Sequence, residues 1–113
     1  MNLIVTPVHS IPKDKILAYS FASDDKNPQL CALQVHLITG NSVIILYASR
    51  QEMIRLIKEQ LDASWNNDDI FDVSEEISEL DDTLKQLYNK PIFYSFVSEQ
   101  EVVTEAANYK QNN

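Results

Sequence analysis

Glycine occurs once in this chain of 113 residues, at Gly40, where average usage would supply roughly eight. A Gly-rich phosphate cradle, a dinucleotide fingerprint and a nucleophile elbow each need glycine for a tight turn or a close backbone approach, so none can be written here. Turns must rest instead on Asn, Asp, Ser and the four prolines. Cysteine is equally scarce. Cys31 stands alone and forms no internal disulfide, whereas a small secreted domain normally carries an even set. Long apolar runs are missing too: residues 2–8 are too short for a membrane span and lack the basic flank of a secretory signal. These absences lead us to expect a soluble, cytoplasmic protein with no membrane association. The nine Lys and Arg are scattered among 17 Asp and Glu, which argues against direct contact with nucleic-acid phosphates.

The bases are absent altogether from one stretch. Residues 62–82, DASWNNDDIFDVSEEISELDD, hold nine of the acids and no Lys or Arg, so the formal charge of −8 is concentrated there and the rest of the chain is near neutral. The chain is nonetheless 44% apolar, with five Tyr, four Phe and one Trp. That composition belongs to a folded chain, and the length suits one domain over residues 1–113 with a frayed tail at 110–113.

Residues 15–21 alternate Leu17, Tyr19 and Phe21 with Ile16, Ala18 and Ser20, the period of two that marks a strand. A polar connection over 23–29 leads to strands at 31–38 and 43–48, joined through Thr39-Gly40-Asn41-Ser42. Gly at the first central position suits a two-residue hairpin turn. That turn sets Leu37 against Ile44, Val35 against Leu46 and Leu33 against Ala48 on an apolar face, leaving His36, Ile38, Val43, Ile45 and Tyr47 on a mixed outer face. Ser49-Arg-Gln-Glu52 matches a capping box opening a helix over 50–62, whose Met53, Ile54, Ile57 and Leu61 form an amphipathic stripe.

In the acidic block Ile70, Val73, Ile77, Leu80, Leu84 and Leu87 are spaced 3, 4, 3, 4 and 3 apart. The spacing predicts a helix over 73–88 with one apolar seam, capped by Asp72 or Ser74. After Pro91 the segment 92–97 reads as a strand, and Ser98-Glu-Gln-Glu101 as a second capping box opening a helix over 99–109. The expected fold is α+β: a small, mainly antiparallel sheet in the order β-β-β-α-α-β-α, with a further strand possible at 2–8, packed by amphipathic helices and with one acidic helix exposed.

Chemistry is poorly represented. Cys31 and His36 fall on opposite faces of one strand and cannot act as nucleophile and base together. His9 and His36 lack the spacing of a zinc site, and residues 66–72 lack the glycine and terminal glutamate of a calcium loop. No metal, cofactor or catalytic residue is expected, and the acids of an exposed helix face stay ionised rather than forming an acid–base pair. The reading is therefore a small non-enzymatic binding or regulatory protein, of inhibitor, immunity or adaptor type, that engages a basic protein partner. The residues assigned to that contact are Trp65, Asp68, Asp69, Asp72, Glu75, Glu76, Glu79, Asp81 and Asp82. The alternative is a self-associating assembly module, a homodimer rather than a monomer, built on His36, Ile38, Val43, Ile45 and Tyr47.

Overall fold

The computed structural model describes residues 1–24, 27–89 and 91–111. The fold is α+β, with three helices and mainly antiparallel pairing among the described residues. Strands β3 (Ile16–Asp24), β4 (Asn27–Leu37), β5 (Ser42–Ala48) and β7 (Tyr94–Ser95) form a four-stranded sheet in the order β3-β4-β5-β7. A second sheet, in the order β2-β1-β6, joins β1 (Leu3–Val5), β2 (Ser10–Pro12) and β6 (Ile70–Asp72). Its β1–β6 pair is parallel and brings the leader of the acidic block beside the first strand. Ile11, Ile4 and Phe71 stand in register across these three strands, and all are buried in the common core.

The helices follow the apolar spacing closely. Helix α1 (Gln51–Ser64) buries Met53, Ile54, Ile57 and Leu61 and lies against β4 and β5. Helix α2 (Val73–Tyr88) buries Val73, Ile77 and Leu84 and packs on α1 and β1. Asp72 is its N-cap, its carboxylate accepting from the amides of Ser74 at 3.0 Å and Glu75 at 3.3 Å. Asn89, in the left-handed region at φ 50°, closes the other end. Helix α3 (Glu99–Gln111) contacts β4, β5 and β7, and Val102 is its buried residue. The expected tail at 110–113 thus begins inside α3, and Asn112 and Asn113 lie outside the described residues.

Several local expectations are corrected. The hairpin turn has a three-residue loop, Ile38-Thr39-Gly40: Gly40 donates to the Leu37 carbonyl at 2.9 Å, and Leu37 donates to the Asn41 carbonyl at 2.8 Å. Gly40, at φ +95°, occupies the left-handed last position of that loop rather than the first position of a two-residue turn. The ladder accordingly pairs Val35 with Val43 and His36 with Ser42, then slips at a bulge so that Leu33 meets Leu46 and Cys31 meets Ala48. Because Ile45 is the extra residue in this bulge, Ile45 and Leu46 are consecutive and both 0% exposed.

The first capping box does not form. Arg50 is the N-cap of α1 without a side-chain cap, while the Ser49 hydroxyl accepts from the Phe93 amide at 3.1 Å and its own amide donates to the Phe93 carbonyl at 2.9 Å. Ser49 thus ties the end of β5 to the segment before β7, and the strand predicted over 92–97 is two residues long. At the second box the Ser98 hydroxyl accepts from the Glu101 amide at 3.3 Å, but Glu101 takes its hydrogen bond from Ser95 at 2.6 Å. The connection expected over 23–29 is mostly strand, and Asp25 and Lys26 lie outside the described residues. The α2 seam is narrower than its spacing implied. Ile70 belongs to a strand whose alternation turns Phe71 inward instead, and Leu87 projects beyond the core, so both seam ends are exposed.

Candidate functional site

Burial of Val73, Ile77 and Leu84 fixes the rotation of α2 and therefore what it shows to solvent. Glu75, Glu79 and Asp82 succeed one another at helical spacing on the opposite stripe and are exposed. Half-buried Glu76 and Asp81 flank them. Asp81 accepts an ion pair from Lys85 at 2.9 Å, and Asp72 is occupied as the cap. Asp69 lies 3.5 Å from Lys13 Nζ, and Asp68 lies 3.6 Å from the amino terminus. Of the nine assigned residues, Asp68, Asp69 and Asp81 are held by cations and Asp72 by the helix cap, while Glu75, Glu76, Glu79 and Asp82 form no ion pair among the described residues.

Glu76 registers that crowding. Burial, then Glu79 and then Glu75 raise its carboxyl pKa above the ordinary value. A raised folded pKa means that the folded state holds the proton more tightly, so stability falls as pH rises from the usual glutamate value through the folded one, and the loss is complete above it. Glu76→Gln is therefore expected to stabilise the chain at pH 7 by about 0.3–0.5 kcal/mol, the size of a like-charge helix pair. Thermal melts at pH 7 and pH 4 check this: the gain should shrink at pH 4, and a gain of equal size at both values would contradict the electrostatic origin.

Trp65 follows the last turn of α1 and is half-buried, its ring 5.7 Å from that of Tyr19 on β3. Lys58 Nζ lies 5.5 Å from the centre of the Tyr19 ring and 2.9 Å from Asp62. Trp65 is thus partly in the core and partly at the surface, and Phe71, its neighbour in the acidic leader, is buried.

Lys13 was not among the candidate residues, because lysine is ordinarily a surface residue. It is only 2% exposed. From the 3-10 turn Lys13–Lys15 its Nζ donates to the Ser64 carbonyl at 3.2 Å and to Asp69 at 3.5 Å. This cation fastens the C-terminal end of α1 to the acidic leader, and so positions Trp65 between them.

The residues assigned to self-association are not one surface. Ile45 and Val43 follow the inner face through the bulge, and Ile45 belongs to the core. Ile38 is in the turn loop and exposed, while His36 and Tyr47 remain on the second face. There His36 bridges three strands, with Nε2 2.9 Å from Ser20 Oγ and Nδ1 2.8 Å from Ser42 Oγ. The start of α3 adjoins the same face, and burial followed by the charge of Glu99 raises the Tyr47 pKa. Cys31 faces the core opposite Ala48, away from His36, and burial followed by Glu52 raises its thiol pKa.

No group of three or more metal-ligating side chains occurs among the described residues, and none of their helices is long and apolar enough to cross a membrane. No protein-family model, curated protein or solved structure matches the chain.

Proposed function

We propose that this chain is a non-enzymatic cytoplasmic binding protein, regulatory or inhibitory in role, that docks a basic protein partner on the outward stripe of α2 and the leader before it. One observation carries the reading: Glu75, Glu76, Glu79 and Asp82 form no ion pair among the described residues and stand on a helix whose opposite stripe is buried in the core. Mixed i, i+4 pairs would give the same solubility with less self-repulsion, and a basic surface would relieve the repulsion on contact. Charge arranged in this way contributes chiefly to partner choice and encounter rate.

The test is capture of partners from the host extract at low and moderate salt by the native chain and by the triple variant Glu75→Gln, Glu79→Gln, Asp82→Asn. These changes keep side-chain size, so the fold should survive, while affinity for a basic partner should fall about tenfold or more at low salt. Equal affinity of both proteins for every captured partner would overturn the proposal. The gain expected for Glu76→Gln concerns stability alone and is independent of it.

A further inference from the structure

Leu33 and Leu46 turn into the core against α1, so strand alternation places their chain neighbours Ala32 and Tyr47 on the opposite face of the four-stranded sheet. That face carries an open hollow of about 250 Å³. Ala22, Ala32 and Tyr47 stand in register across β3, β4 and β5, and the two methyl groups leave the surface low beside the phenol ring. Leu30 and Ile44 wall the hollow, and Glu99, the first residue of α3, stands at its edge. Leu30 and Ala32 are buried, yet neither belongs to the common core. The hollow is thus part of a separate apolar patch, on the other side of the sheet from α1 and from α2, which packs on α1.

The lining restricts what can enter. Its charged group is the Glu99 carboxylate, with neither Lys nor Arg beside it, and Glu99 forms no ion pair among the described residues. Burial and the charge of Glu99 hold the Tyr47 pKa above its ordinary value, so the phenol keeps its proton at neutral pH and its oxygen still accepts a hydrogen bond. An anion is repelled by Glu99, and a neutral chain leaves that carboxylate unpaired. A metal ion finds no group of three ligating side chains among the described residues. An organic cation on an apolar stem satisfies both the carboxylate and the alanine floor.

We propose that this hollow binds a small primary aliphatic amine, whose ammonium pairs with Glu99 and donates to the Tyr47 oxygen while its alkyl chain lies over Ala22 and Ala32 between Leu30 and Ile44. From β3 to β5 the floor spans two inter-strand spacings, about 10 Å, the reach of a chain of about six carbons. A protein docked on the outward stripe of α2 lies on the far side of the sheet, so a free amine rather than a lysine of that partner is the occupant. The site stands or falls independently of the docking surface.

The test titrates the full chain with hexylamine, hexanol and hexanoate, using calorimetry for affinity and the methyl resonances of Ala22, Ala32 and Ile44 for location. Hexylamine should bind with a Kd on the order of 1 mM, about tenfold tighter than hexanol, and hexanoate more weakly than either. Glu99→Gln, at an exposed position, should remove the advantage of the amine over the alcohol. Ala22→Leu, which fills the floor and leaves Glu99 in place, should abolish binding of both, with the thermal transition retained in each variant. Amine and alcohol binding equally to the native chain, or amine binding unchanged by both substitutions, would overturn the proposal. Amine binding that weakens only in the α2 triple variant would overturn it as general attraction to the acidic helix. Perturbation of the same methyl groups by Nα-acetyl-lysine amide but not by hexylamine would overturn it in favour of a lysine side chain.

Discussion

Ile45→Lys is expected to abolish the cooperative unfolding transition at neutral pH, while Ile44→Lys keeps it. The two side chains are neighbours in sequence and stand on opposite sides of the sheet. Ile45 is 0% exposed and enters the core through the bulge in β5. Ile44 is partly exposed beside Tyr47 and Glu99. A lysine at 45 would be a buried charge with no partner, a change that costs several kcal/mol, about as much as the whole stability of a chain of this size. At 44 the ammonium can reach water and the Glu99 carboxylate, and the cost should be about 1–2 kcal/mol, that of the lost apolar contact. Urea denaturation followed by circular dichroism distinguishes them. A two-residue turn would exchange the roles of the two residues, so a folded Ile45→Lys beside an unfolded Ile44→Lys would contradict the bulged register.

The second large effect concerns Lys13. Lys13→Met keeps the apolar stem and removes the ammonium that serves the Ser64 carbonyl and Asp69. A hydrogen bond from a charged group contributes about 1.5–3 kcal/mol, and the expected loss is of that order. Lys13→Ala also empties the space of the stem and should cost roughly 3 kcal/mol or more. Asp69 is more than half exposed, so it is rehydrated when its partner leaves; the penalty falls on the carbonyl and the packing rather than on a stranded carboxylate. Both variants should also move the Trp65 emission toward the red, because the end of α1 loses its tie to the leader. A melting temperature within a degree or so of the native chain for Lys13→Ala would show that the buried ammonium contributes nothing net to stability.

The helices were the most legible part of the fold, because their signals are local. Asp72 or Ser74 before a 3-4 apolar spacing marked the start of α2, where the structure uses Asp72, and Met53, Ile54, Ile57 and Leu61 are the residues that α1 buries. The hairpin was legible as a hairpin but not in register. Gly40 fits either the first position of a two-residue turn or the last of a three-residue loop, and Val43-Ile-Ile-Leu46 is apolar throughout, so no alternation opposes a slip. The small sheet depends on three-residue strands, with Ile4 meeting Phe71 far along the chain, a pairing that no local pattern announces.

The candidate site divides in the same way. The outward acids of α2 follow from helical period alone, whereas the burial of Lys13 and the bridge from His36 to Ser20 and Ser42 arise only when distant strands come together. Ser49 and Glu101 show why capping boxes are ambiguous in sequence: each has a competing partner, Phe93 and Ser95 respectively, that only the tertiary fold supplies.

The central claim is that the acids of α2 guide a basic partner to the chain. Its most direct measurement is the association rate of a captured partner with the immobilised chain over about 0.05–0.5 M salt. For the native chain the rate should fall steeply as salt rises, and the variant carrying Glu75→Gln, Glu79→Gln and Asp82→Asn should start about tenfold slower and change little. Equal rates for the two proteins, with the same dependence on salt, would contradict the claim and leave these carboxylates as a solvated helix face.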